Sequence, residues 1–448
     1  MKTAQITQRE GTIDPGFLFL PIGLAAFAPI ASVLTWWQGY ADAHSALEAS
    51  LRLVLMVEVV VVLLWLVPFR SQQGIRLPVP PIALAMSFAL LAIGYSRIFV
   101  SPDWSGAIVI RTTGWLFHGL FLIALIDMLS SLRGHRLLSI LALAMPLSGL
   151  AYVAMMAAEF STLGPPSGAL CTFESTGFGN VRWTGHVVAP AMIVFFFLAS
   201  AREVGTPGRT AAFLAAACLS AFLFYTGTRA AWMSVAVTVI VMAPFLPIKR
   251  ALSFGASMIA AAGVSAAVVY FLLPVPECGT YDMFRRVATG DAMESSGRVE
   301  VWLGSITHIL EYPIFGRGPV PLSEVMDWPL MQLHNGLLQA AWDWGLVGAA
   351  LFWLLIAPPA LMLALSLRKA QPIAIASAAA FLSLLAYSML DGILFHHFPV
   401  MFVLTYGAMA WVLCARSADA TDTGSNGVLK AKMERWMKAK RPVQAPAE

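Results

Sequence analysis

Polar residues cut this chain into apolar runs that are too long and too continuous for a soluble core. Runs of spanning length start near Phe17, Leu51, Pro80, Ala107, Leu137, Gly185, Thr210, Ala231, Ala251, Gly336, Pro372 and Pro399. Leu53 to Val67 is apolar but for Glu58, and Ala251 to Leu273 holds nothing more polar than serine. About 20 such residues carry a helix across the hydrocarbon core. A membrane barrel would instead show short segments of alternating polarity. The pattern therefore predicts an all-α polytopic membrane protein of about 12 transmembrane helices with one large extramembrane loop. Helices one to nine are expected over 1–273, a loop domain over 274–335, helices ten to twelve over 336–415, and a basic tail over 416–448. Within the loop, Ser296 to Leu310 reads as an amphipathic helix, followed by Pro313-Ile314-Phe315-Gly316-Arg317-Gly318.

Composition agrees. The 448 residues are 59% hydrophobic and 12% charged, where a soluble domain carries about 25% charge. A soluble enzyme, a disordered chain and a disulfide scaffold are excluded, and nothing suggests a nucleic-acid partner. Charge then orients the spans. Alternate connections, together with the two termini, hold 19 of the 28 basic residues and every lysine. The remaining connections hold nine arginines: Arg52, Arg97, Arg111, Arg182, Arg229, Arg285, Arg286, Arg298 and Arg317. Both termini are thus expected in the cytoplasm and the large loop outside. The first apolar run is read as a span, with a cleaved signal peptide as the alternative. The tail from Val428 to Arg441 is either an amphipathic helix on anionic membrane lipids or a disordered basic segment. No nucleotide loop, dinucleotide fingerprint or zinc-type cluster occurs, so no cofactor and no metal are expected.

The candidate chemistry lies on the outer face. Arg229, in Thr226-Gly227-Thr228-Arg229-Ala230-Ala231-Trp232, sits at a junction of two apolar spans, where a guanidinium is costly unless paired or wet. Positive-inside bias depletes lysine and arginine alike, yet this face keeps arginine alone. That points to bidentate binding of phosphate or carboxylate, with structural ion pairing as the alternative. Arg298 follows, although Glu294 and Glu300 are near it in sequence. His334 precedes Asn335 and a long apolar run, at the start of a helix, where the dipole favours an anion and a neutral imidazole. It is either a polar cap or a proton acceptor. Cys171 and Cys278 lie in outer loops, either as a disulfide or as two free thiols.

Four segments carry a resemblance: Arg182-Trp183-Thr184-Gly185-His186; the Thr226–Trp232 turn; Gly297-Arg298 with Trp302 and Pro313 to Gly318; and His334-Asn335 with Asp343-Trp344-Gly345-Leu346-Val347-Gly348. In this order they resemble the O-antigen ligase and polymerase superfamily of bacterial envelope glycosyltransferases. Asp343 departs from a more usual glutamate, and Val187 to Pro190 from a usual Pro-Asn pair. The resemblance implies a GT-C-type fold in the bacterial inner membrane. It implies transfer of a glycan from undecaprenyl diphosphate to an acceptor on the periplasmic side, with Arg229, Arg298 and His334 essential. On that reading the arginines stabilise charge on the leaving diphosphate, without a metal. His334 takes the acceptor's proton, with inversion, or alternatively donates a hydrogen bond to the leaving phosphate. Arg182, His186, Arg285, Arg286, Arg317 and Asn335 are expected to bind substrate. Trp183, Trp302 and Trp328 either stack on sugars or anchor at the interface. A ligase acting on lipid A–core is favoured over a polymerase or a protein glycosyltransferase. A lipid-linked glycan transporter is disfavoured, because Glu58 and Asp127 are the only notable charges expected inside the spans.

Overall fold

The computed structural model describes residues 22–27, 30–31, 43–66, 80–132, 135–163, 181–273, 298–326, 332–396 and 399–417. Cys171, Cys278, Arg285, Arg286, Trp328, most of the run from Phe17 and the tail beyond 417 lie outside these residues. All regular structure described is helical. The helices are α1 (Ala43–Leu64), α2 (Pro81–Ser96), α3 (Ser105–Ser131), α4 (His135–Leu163), α5 (Val181–Ser200), α6 (Thr206–Tyr225), α7 (Arg229–Met242), α8 (Ile248–Leu272), α9 (Arg298–Glu311), α10 (Gly336–Ser366) and α11 (Pro372–Asp391). A last helix, α12, covers Pro399–Ser417.

Among the described residues, eight helices are long and apolar enough to span a bilayer, and three apolar helices are shorter: Leu53–Leu64, Thr184–Ser200 and Arg229–Phe245. Each corresponds to an apolar run in the sequence, and the chain is a multi-pass membrane protein. The bundle closes around α5 and α11. Residues 184–197 and 373–380 are buried on every side, as befits helices that are apolar all round. Large apolar side chains such as Ile82, Ile240, Ile259 and Phe271 are instead exposed on the outer helices. That belt is where lipid replaces core.

Two features position the site. The first is the loop helix α9, where the amphipathic segment was expected. It buries Val301, Ser305 and Ile309 and packs on α10. Its exposed surface divides into an apolar stripe (Val299, Leu303, Ile306, Leu310) and a polar one (Glu300, Thr307, Glu311). The second is a break in α10 at Gly345, with φ 66° and ψ −175°. Backbone groups freed inside a membrane cost several kcal/mol each if unsatisfied. Here the segment 313–318 takes them up. Arg317 N–H donates to Trp342 O (2.9 Å) and Gly318 N–H to Asp343 O (3.1 Å). In return Leu346 N–H donates to Pro313 O (2.7 Å) and Val347 N–H to Ile314 O (3.2 Å). Only glycine fits at 345, since a Cβ there would lie 2.4 Å from the Ile314 carbonyl.

At the opposite end of the bundle, arginines bond carbonyls at helix ends, a placement the helix dipole favours. Arg209 reaches Ala199 O (3.0 Å), at the end of α5. Arg368 reaches Pro244 O (3.4 Å), beyond α7. Arg416 reaches Leu129 O and Ser130 O (both 3.1 Å), at the end of α3. Arg250 pairs with Glu203.

Candidate functional site

The site forms where α11 ends and α10 begins. The final residue of α11 is Asp391, and Gly392 then turns the chain in the left-handed region (φ 57°), its N–H bonded to Ser388 O at 3.1 Å. Against this turn lies the entry to α10. The Asn335 side chain caps that helix, accepting from Leu337 N–H and Leu338 N–H (both 3.0 Å). Its amide donates across to Met389 O on α11 (3.0 Å). Between cap and loop, His334 holds φ 50°, the one positive-φ residue other than glycine among the described residues. A left-handed residue costs about 1–2 kcal/mol, so the surroundings must enforce it. Gly392 makes room for this, as a Cβ there would stand 3.2 Å from His334 Cα.

Asp391 is 7% exposed and is met by basic side chains from three distant segments. His334 Nδ1 lies 2.9 Å from its Oδ1. The Arg298 guanidinium approaches the same oxygen at 3.4 Å and donates to Leu390 O at 2.5 Å. His186 Nε2 is 4.0 Å from Oδ2, with its ring edge-on to Tyr387, centroids 4.8 Å apart. A buried carboxylate is tolerated only when paired in this way. His396, just after the short turn Ile393–Phe395, joins the group. Desolvation first, then the proximity of the basic groups His186, Arg111 and His334, hold its imidazole well below the usual range, against an opposing pull from Asp391.

Arg229 opens α7 one layer away. The preceding turn bends at Gly227 (φ 61°), and Thr226 and Thr228 share a hydroxyl hydrogen bond of 3.0 Å. Thr228 packs where α5 has Gly185, beside His186. A Cβ at Gly185 would meet Thr228 Cγ2 at 2.8 Å and the Tyr387 hydroxyl at 2.7 Å. A glycine at this position therefore lets α5, α11 and the Arg229 turn close together.

Of the residues singled out in the sequence, Arg298, His334, His186 and Asn335 come together here, with Arg229 adjoining. Arg182 lies in the first turn of α5, and its side chain is outside the described residues. Arg317 is elsewhere. Its guanidinium is paired with Glu311 and stacked on Tyr312, 4.6 Å from the ring centroid. Trp302 turns its indole inward, Nε1 donating to Leu333 O at 2.7 Å. Among the described residues, no group of three or more His, Cys, Asp or Glu side chains is arranged to hold a metal ion.

Sequence reasoning missed Asp391 itself. Its signal was a carboxylate closing an apolar run, expensive there without a partner. The reading of Glu58 and Asp127 as the only notable charges within the spans is also corrected. His118 binds Glu58 through Nδ1 at 2.7 and 2.8 Å, both side chains buried. The Trp65 indole donates to Asp127 at 2.9 Å. Arg111 lies 3.9 Å from buried Asp343. None of these pairings is between near neighbours in sequence.

Compared with known families, residues 214–353 match the family described as O-antigen ligase, a stretch that includes Arg229, Arg298, His334 and Asp343. No curated protein matches the chain.

Proposed function

We propose that this protein is a member of the O-antigen ligase superfamily and an inverting, metal-independent glycosyltransferase that moves a glycan from undecaprenyl diphosphate to lipid A–core. The observation that carries the reading is the convergence on Asp391 of His334 and Arg298, from two separate segments of the matched stretch. The reaction joins the acceptor hydroxyl oxygen to the anomeric carbon and breaks the bond from that carbon to the diphosphate. Undecaprenyl diphosphate leaves with added negative charge. Arg298 and Arg229 are suited to meet that charge, since preorganised cations stabilise the transition state more than the ground state. His334 receives the hydroxyl proton. With Nδ1 engaged by Asp391, the Nε2 side of the ring is the basic one, and the carboxylate stabilises the imidazolium that forms. This is the division of labour of a His–Asp pair in acyl transfer, applied to a sugar.

The remaining assignments follow from the same reading. The chain spans the bacterial inner membrane about twelve times in a GT-C-type arrangement, with both termini cytoplasmic and the Asp391 end periplasmic. The arginines that bond helix C-termini at the opposite end belong to the charge-rich set expected in the cytoplasm, which supports this orientation. Arg182, Arg285 and Arg286 remain candidates for holding substrate phosphates. Arg317, engaged by Glu311, contributes by tying the 313–318 segment to α10.

The test is reconstitution in liposomes with undecaprenyl diphosphate-linked glycan and lipid A–core. A one-step upward shift of the core lipid is expected. Lengthening of the donor with the core untouched would make the protein a polymerase, and transfer to a Ser or Thr side chain a protein glycosyltransferase. Glycan lipid crossing the bilayer without product would overturn the enzymatic reading.

A further inference from the structure

The left-handed backbone of His334 is held by groups that make no hydrogen bond to Asp391. Leu333, immediately before it, is fully buried, and its flanking peptide groups are tied from two directions. Its N–H donates to Gln339 Oε1 at 2.9 Å. Its carbonyl accepts from the Trp302 indole on α9 at 2.7 Å. Gln339 in turn donates through Nε2 to Asp343 Oδ1, one turn further along α10, at 2.9 Å. Both Gln339 and Asp343 are buried. On the other side of His334, Asn335 is fixed by its cap and its bond to Met389. With both neighbours pinned, the Cα–Cβ bond of His334 has one direction, and that direction carries Nδ1 to Asp391.

The chain of bonds has a polarity that the residue types enforce. Leu333 offers a donor and Asp343 an acceptor, so the residue between them must accept at one end and donate at the other. A carboxamide does this in one orientation only. We propose that Gln339, held by Asp343, is a positioning residue for the transfer reaction: it fixes the Leu333 peptide and thereby aims His334. Trp302 closes the clamp from α9, so the loop helix that carries Arg298 also sets the histidine. The inference rests on the transferase reading for its kinetic consequence, and on geometry alone for the clamp.

Two variants test it. Gln339→Glu keeps an acceptor for Leu333 but sets a carboxylate against Asp343, so the clamp should open. Adding Asp343→Asn reverses the polarity of the pair, because the new amide donates to the new carboxylate with the total charge unchanged. The clamp should then close again. A displacement on the order of 1 Å at a catalytic group can cost about 10²-fold in rate. Gln339→Glu should therefore lower kcat by roughly that factor with the donor KM within about threefold, and the double variant should recover most of it. Hydrogen–deuterium exchange over 332–336 reads the same contact without substrate. The Leu333 amide should be protected in the parent, exposed in Gln339→Glu and protected again in the double variant. A Gln339→Glu protein with parental kcat and protection would overturn the proposal. So would a double variant no better than the single one. Absence of transfer by the parent with the exchange pattern intact would refute the transferase reading and leave the clamp standing.

Discussion

Asp391 is the residue on which the account turns, because it alone explains why a histidine and an arginine from separate segments meet. Replacing it by asparagine keeps the shape and a hydrogen bond to His334 but removes the charge that stabilises an imidazolium. Transfer by Asp391→Asn should fall by roughly 10²-fold or more, measured as single-turnover product formation at saturating donor. Activity within a few-fold of the parent would separate His334 from proton transfer. The candidate basic residues were legible in the sequence, since a guanidinium at the seam of two apolar runs and a histidine at a helix start stand out locally. Their common partner was not. Asp391 lies 57 residues from His334, and no local period encodes such a pairing. The Glu58–His118 pair escaped notice for the same reason.

At the scale of elements, the helices were the most legible part, because a bilayer demands long apolar runs and the runs mark their own ends. The α9 helix was also readable, from its amphipathic spacing. What the sequence did not reveal is the break in α10. Nothing in the run from Gly336 to Ser366 announces that Gly345 leaves the helix, because the compensation comes from Pro313 to Gly318. This exchange of hydrogen bonds locks the loop to a membrane helix. Gly345→Ala should therefore be severely destabilising. The backbone at 345 (φ 66°, ψ −175°) lies in a region that is essentially glycine-only and costs another residue about 1–3 kcal/mol, and the Cβ of alanine would also collide with the Ile314 carbonyl. Thermal unfolding in detergent should show a clear drop in Tm, with new protease cleavage in 312–318. An unchanged Tm would mean that the break is not enforced by this packing.

For the whole molecule, charge and packing tell one story. The nine arginines assigned outside from charge include Arg229, Arg298 and Arg317, all at the Asp391 end. Arg209, Arg250, Arg368 and Arg416, assigned to the cytoplasm, lie at the other end. Two exposed positions test the orientation directly, Thr307 on α9 and Lys249 at the start of α8. In intact cells, a Thr307→Cys protein should react with a membrane-impermeant maleimide reaching the periplasm. A Lys249→Cys protein should react only after the inner membrane is opened. The reverse pattern would invert the topology and move the site to the cytoplasmic face.

The central claim is that His334, oriented by Asp391, takes the acceptor's proton while arginines carry the leaving diphosphate. Its most direct test is the single-turnover rate of glycan transfer by reconstituted parent and His334→Ala proteins, with EDTA present and donor binding measured alongside. The account predicts parental transfer undiminished by EDTA. In His334→Ala it predicts a rate lower by roughly 10²–10⁴-fold, with donor affinity kept within about threefold. Transfer by His334→Ala within tenfold of the parent, or parental transfer abolished by EDTA and restored by a divalent metal, would contradict it.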